Sequence, residues 1–163
     1  MPKQNMPFIR TYQPGDAGLI ANLHMQIYVE EYGFKGIFEY YLLDGLAQYV
    51  KNPAGSQVWV VEAGGRVAGA IAIVKTGPAQ AQLRWFILNK GCRGHGLGGK
   101  LMDTALAFCA EQGYTHIVLW TVGILHPARH LYEKYGFVPT EEMPNTEWSD
   151  APLTEEKWEL HIN

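Results

Sequence analysis

Residues Arg93-Gly94-His95-Gly96-Leu97-Gly98-Gly99-Lys100 set a cluster of glycines between two cations. An apolar run, Leu83-Arg84-Trp85-Phe86-Ile87-Leu88, precedes them, and a helical pattern from Leu101 to Gln112 follows. Glycines let a backbone approach a ligand closely, and a helix start presents unpaired N–H groups at the positive end of its dipole. A strand, glycine turn and helix in this order suit anionic oxygen, most often phosphate. Other side chains here could do chemistry. Glu30 and Glu31 are candidate bases. Arg84 sits within an apolar strand, where a cation needs an anion: either a substrate carboxylate or a protein acid such as Glu62. His126 and His130 lack the His-Glu-x-x-His pattern, and Cys92 and Cys109 lack metal spacing, so no metal site is expected.

Three phosphate motifs compete for the loop. Gly94-x-Gly96-x-x-Gly99 matches a dinucleotide fingerprint, but the next strand runs through Thr121 into Val122-Gly123-Ile124 without the ribose-binding carboxylate. Gly94-x-x-x-x-Gly99-Lys100 matches most of a Walker loop. The residue that should hold Mg²⁺ is Leu101, which cannot ligate a metal, and a nucleotide-dependent phosphotransferase is weakened accordingly.

The third pattern is Arg93-x-x-Gly96-x-Gly98, which resembles the pyrophosphate loop of the GNAT acetyltransferase superfamily. A second segment, Ala128-Arg129-His130-Leu131-Tyr132-Glu133-Lys134-Tyr135-Gly136-Phe137, resembles the same family's Ala-x-x-Leu-Tyr-x-x-x-Gly-Phe signature, one strand later. The resemblance covers about residues 8 to 162. Arg10-x-Tyr12-x-Pro14-Gly15-Asp16, Glu30-Glu31-Tyr32-Gly33 and Leu119-Trp120-Thr121 look like the branch often fused to MarR-type regulators. Here Phe8 already begins the first strand, and a stand-alone domain over 8–162 is expected.

The resemblance implies an α+β, three-layer acyl-CoA N-acyltransferase fold, with a mixed central sheet and a splayed parallel strand pair. It implies acetyl-CoA as co-substrate and a small-molecule amine as acceptor. Backbone groups of Phe86, Ile87 and Leu88 would line the pantetheine, with the Phe86 N–H as oxyanion donor. Arg93, Gly94, His95, Gly96, Leu97, Gly98, Gly99 and Lys100 would surround the pyrophosphate, backbone dipoles replacing a metal. Tyr132 would hydrogen-bond the coenzyme sulfur. The first two helices would wall the acceptor site, with Tyr28, Glu31 and Arg84 as substrate contacts and Glu31 as base. Leu125 replaces the asparagine that the family often uses on the pantetheine. A homodimer is common in the family. The alternative reading is a non-catalytic acyl-CoA-binding sensor.

The elements that must position these residues are legible from periodicity. Phe8–Tyr12 alternates as a strand, and Asp16 is expected to cap a helix that Gly33 ends. Phe38, Tyr41, Leu42, Leu46 and Tyr49 give a second helix, stopped before Pro53. Gln57–Ala63 and Arg66–Val74 form a hairpin about Gly64-Gly65. Small residues on its second strand suggest close packing or a bulge. Gln80–Leu88 reads as a central strand buried on both faces. The strand at His116–Thr121 is parallel to it through the right-handed crossover. A helix runs from Pro127 to about Tyr135, and a strand begins at Phe137. Glu141 to Glu156 reads as a loop, and Trp158–Ile162 closes the sheet.

Composition agrees with one globular unit: 163 residues, 47% hydrophobic, 18% charged. A net charge of -3 gives no electrostatic footprint for nucleic acid. No apolar run is long enough to span a membrane, and Met1-Pro2-Lys3-Gln4-Asn5 has no signal core, so cytoplasmic residence is expected.

Overall fold

The computed structural model describes residues 6–163; the expectation about residues 1–5 lies outside them. The elements run β1 (Phe8–Thr11), α1 (Asp16–Tyr32), α2 (Ile37–Lys51), β2 (Gln57–Ala63), β3 (Arg66–Lys75), β4 (Gln80–Leu88), α3 (Leu97–Gln112), β5 (His116–Val122), α4 (His126–Lys134), β6 (Val138–Asn145) and β7 (Leu153–His161). The strands form one sheet in the order β1-β2-β3-β4-β5-β7-β6. Every neighbouring pair is antiparallel except β4 and β5.

Two apolar cores sandwich the sheet. One face packs Ile20, Leu23 and Ile27 of α1 and Leu42, Leu46 and Tyr49 of α2 against Val58, Val60, Ala70 and Ala72. The other packs Leu97, Leu101, Met102, Ala105 and Cys109 of α3 and Tyr132 of α4 against Ile71, Ile73, Leu83, Ile117 and Leu119. The helix–sheet–helix layering follows from sheet strands that offer apolar side chains to both faces. At Gly69 a Cβ would sit 2.8 Å from the Ile87 carbonyl oxygen, which explains the glycine at that point of β3. No helix among the described residues is long and apolar enough to cross a membrane.

Several local expectations change. Gly15, at φ +100°, is the α1 N-cap, and Asp16 is the helix's first residue. The buried Asp16 carboxylate instead accepts from Arg10 at 2.8 and 3.1 Å and from the Gln13 N–H at 2.7 Å. Arg10 also donates to Glu62 at 3.0 Å, so Glu62 is not the partner of Arg84. Helix α3 begins at Leu97, with Gly96 at φ +76° as its N-cap.

Strand β4 is central and buries side chains on both faces, Ala81 and Leu83 toward α3 and Trp85 and Ile87 toward α1 and α2, while the residues between them are partly exposed. The segment expected to be a loop, Glu141 to Glu156, holds the greater part of β6 and the start of β7. β6 is an edge strand exposed over nearly its whole length, so no burial alternation marks it. An edge also tolerates Pro139 and Pro144.

The decisive irregularity lies in β4. Ala70 pairs with Ile87 but Ala72 pairs with Arg84, leaving one extra residue on β4. Trp85 takes a left-handed φ of +49° there. A bulge of this kind re-aims side chains. Leu83 packs in the α3 core, whereas Trp85 packs in the α1–α2 core, as does Ile87; Phe86 and Leu88 return to the α3 side.

Candidate active site

Strands β4 and β5 pair only at Gln80–His116, Ala81–Ile117 and Gln82–Val118. Beyond these pairs they part. The gap opens into a cleft of about 630 Å³, within the usual range for small-molecule sites. α1, α2, the glycine loop, α4 and the β6–β7 connection complete its walls.

One side of the cleft is built to donate hydrogen bonds. Asn89 N–H bonds to the Ala68 carbonyl of β3. Backbone direction alternates along a strand, so Ile87 also faces β3, while Phe86 and Leu88 face the open edge. Gly94 and Gly96 take left-handed φ values of +82° and +76°, and nothing lies within 4 Å of where their Cβ atoms would be. The first bond of the α3 ladder is Lys100 N–H to the Gly96 carbonyl. None of the N–H groups from Gly94 to Gly99 has a hydrogen-bond partner among the described residues. These free donors at a helix start fit a pyrophosphate.

Arg93 opens this loop, but its guanidinium is engaged within the protein. It donates to both Glu31 oxygens at 2.9 and 3.0 Å, and its Nε–H donates to the Leu88 carbonyl at 3.0 Å. The Arg93 hydrogen bonds hold the Glu31 pKa below the ordinary carboxylate value, which makes Glu31 a poorer base. Arg93 and Glu31 therefore form one clasp between the end of α1 and the loop. Gly94, Gly98 and Gly99 line the cleft with Phe86, Ile87 and Leu88. His95, Leu97 and Lys100 instead line a separate depression beside Arg66 and Asn89.

Tyr132 is 5% exposed and lines the cleft, between Phe86, Phe137 and Trp158. Its hydroxyl has no hydrogen-bond partner among the described residues. Burial raises its pKa above the ordinary phenol value, so the hydroxyl stays protonated at neutral pH.

The opposite side is aromatic. Tyr28 contacts Tyr32, Phe34 and Phe38, and Trp148 of the β6–β7 connection lies against Phe34 and Phe38. That connection is fixed to the α1–α2 turn by Lys35 N–H to the Trp148 carbonyl at 2.6 Å, by a Phe34–Ser149 bridge and by Tyr41 donating to Glu147 at 2.6 Å. His24 is fully buried and its pKa falls to about 4 because burial penalises the cation. Its Nδ1 lies 2.8 Å from the Ile20 carbonyl, so the neutral ring carries its proton there.

Glu155 is the one carboxylate lining the cleft among the described residues, and it accepts from Asn145 Nδ2 at 3.1 Å. Trp148 and Glu155 fall in the segment read as a loop, so sequence periodicity gave no signal for either. Arg84 lines the cleft and stacks on Trp85, its Cζ 4.7 Å from the ring centroid.

At the Gln80 end of the sheet, away from the cleft, ligand atoms of His116, Glu159 and His161 lie within 4.8 Å of one another. The two imidazoles stack 4.4 Å apart at 6°, so their in-plane lone pairs run parallel rather than converging on one ion.

Comparison with known proteins agrees with this geometry. Residues 20–137 match the Acetyltransferase (GNAT) family. N-acetyltransferase 8 of Rattus norvegicus is 36% identical over 93 residues, which span 54% of this chain and 42% of that protein. The chain thus spans less than half the length of that relative. A GNAT-family acetyltransferase from Staphylococcus aureus Mu50 superposes with a TM-score of 0.78 at 20% identity, covering 97% of this chain and 100% of the other. An acetyltransferase from Salmonella typhimurium, solved with its cofactor acetyl-CoA, superposes at 0.77 with 19% identity, covering 98% and 95%. At these identities both structures speak to the fold.

Proposed function

The chain belongs to the acetyltransferase (GNAT) family, and on that footing we propose that it moves the acetyl group of acetyl-CoA to the primary amine of a small acceptor. Transfer is by direct attack, with both substrates held in the cleft. One juxtaposition carries the reading: the unpaired edge of β4, the free N–H groups of the glycine loop and the partnerless Tyr132 hydroxyl meet at one cleft. The names of the matched relatives, and the acetyl-CoA complex of the Salmonella neighbour, support it.

The roles follow from chemistry. The N–H groups of Gly94 to Gly99 hold the pyrophosphate, with open space at Gly94 and Gly96 admitting its oxygens against the backbone. The Phe86 N–H, on the open edge, donates to the acetyl carbonyl oxygen, where negative charge grows during attack. The amine nitrogen bonds to the acyl carbon, the C–S bond breaks, sulfur leaves as a thiolate, and the second proton of the attacking nitrogen passes to that thiolate, which gives the amide and the free thiol of coenzyme A. Tyr132 donates a hydrogen bond to that sulfur. A thiol titrates at about 8.5 and an ordinary phenol at about 10. Burial raises Tyr132 further, so it keeps its proton and stabilises the thiolate as a donor. The ammonium proton must leave before attack, and Glu155 accepts it, directly or through one water. Glu31 is released from that role, because it is bound to Arg93.

The test is Tyr132→Phe, with turnover and acetyl-CoA affinity measured separately. A hydrogen bond to a charged group is worth roughly 1.5–3 kcal/mol, so turnover should fall about 10- to 100-fold with little change in acetyl-CoA Kd. An unchanged rate removes Tyr132 from the mechanism. Tight acetyl-CoA binding without transfer to any amine would make the chain an acyl-CoA sensor instead.

A further inference from the structure

The acceptor half of the cleft contains a cation that the transfer chemistry does not use. Arg84 follows Leu83 at the start of the β4 bulge, and its guanidinium is turned toward α2, over Gly45. It forms no ion pair and no hydrogen bond among the described residues. Asp44 is the acid whose field reaches it, but Asp44 accepts from Gln48 at 3.1 Å instead. Burial pushes the Arg84 pKa below its ordinary value, the mark of a cation short of compensation.

The protein nonetheless keeps a seat for this group. Gly45 lies inside α2, where glycine is a poor helix residue. A Cβ there would stand 2.7 Å from Arg84 Nη2 and 3.1 Å from Cζ. The guanidinium also lies over the Trp85 ring, its Cζ 4.7 Å from the centroid. A planar fork held against a helix and an indole, on the wall of a cleft and without an anion partner among the described residues, is a preformed carboxylate receptor.

We infer that the acceptor carries a carboxylate as well as its amine, and that this carboxylate binds the Arg84 guanidinium. The acceptor class is therefore a free amino acid or a close analogue. A single guanidinium balances a single negative charge; a phosphate dianion would leave charge uncompensated beside Leu42 and Phe38. The amine end then meets Glu155, the acid that lines the same cleft. This inference rests on the acetyltransferase reading.

The test compares matched acceptors: amino acids, their carboxamides, their decarboxylated amines and a phosphorylated amine, with thiol release as readout. The acid form should exceed its amide in kcat/KM by about a hundredfold, mainly through KM. Arg84→Met keeps much of the apolar stem and removes the fork. It should collapse the acid-to-amide ratio toward one, whereas a purely structural role would lower both and preserve the ratio. Gly45→Ala, which crowds the guanidinium without touching Arg84 in sequence, should reduce the same ratio and serves if Arg84→Met does not fold. Equal transfer to acid and amide, preference for the phosphorylated amine, or a ratio unmoved by both variants overturns the inference alone. Acetyl-CoA binding with transfer to no acceptor overturns the acetyltransferase reading, and this inference with it.

Discussion

Tyr132 and Glu31 show how environment assigns roles that residue type leaves open. A tyrosine in an Ala-x-x-Leu-Tyr segment can serve a core or a reaction. Here its ring packs against Phe137 and Trp158, while its hydroxyl has no partner among the described residues and is free for the proposed reaction. Glu31 has the right type for a base, but two hydrogen bonds from Arg93 commit its carboxylate. Glu155 has one hydrogen bond, from an amide, and lines the cleft. The two carboxylates should therefore separate on mutation. Glu155→Gln should lower kcat by about a hundredfold, the usual scale of a lost general base, with acetyl-CoA affinity retained. Glu31→Gln should leave kcat within a few-fold and cost about 1 kcal/mol of stability or less, as for a surface ion pair. Equal kcat losses in steady-state assays of the two variants would return the base role to question.

Helix α1 connects the acceptor wall to the donor loop, and its docking depends on an uncharged His24. The ring is buried at the cleft wall beside Tyr28, bonds to the Ile20 carbonyl and has a folded pKa of about 4. The unfolded chain titrates His24 near its ordinary value of 6.5. Below that pH the unfolded state takes up a proton that the folded state refuses, so stability falls as pH drops from 6.5 toward 4 and is fully present above 6.5. His24→Gln cannot titrate. Between pH 7 and 4.5 the wild type should lose on the order of 2–3 kcal/mol relative to that variant in denaturant unfolding. A constant difference between the two across this range would mean that His24 is not held neutral. The bulge is the second element-scale device. One inserted residue, with Trp85 at positive φ, directs Trp85 to the α2 side and returns Phe86 to the donor side. Nothing in Leu83-Arg84-Trp85-Phe86 announces it, because a bulge is a pairing property and its partner is β3.

Across the molecule, the legible parts of the sequence were those fixed locally. Glycine at 94 and 96, the apolar period of α3 and the right-handed crossover needed only neighbours in the chain, and they gave the loop, the helix and the parallel pair. The rest depended on distant pairing. The Arg93–Glu31 clasp joins residues far apart in sequence. The wall made by Trp148 and Glu155 hangs on an exposed edge strand that leaves no periodic trace. Gly45 reads as a helix weakness until Arg84 is seen above it. Together these features make one cleft with one side rich in free N–H groups and another that is aromatic, with Arg84 and Glu155 as its charged groups. The central claim is direct transfer between two substrates bound at once. Initial-rate kinetics with acetyl-CoA and a carboxylate-bearing amine varied against each other, with thiol release and acetylated amine both quantified, test it most directly. The account predicts intersecting double-reciprocal lines and one acetylated amine for each thiol released. Parallel lines with an acetylated protein, or thiol release independent of the amine, would contradict it.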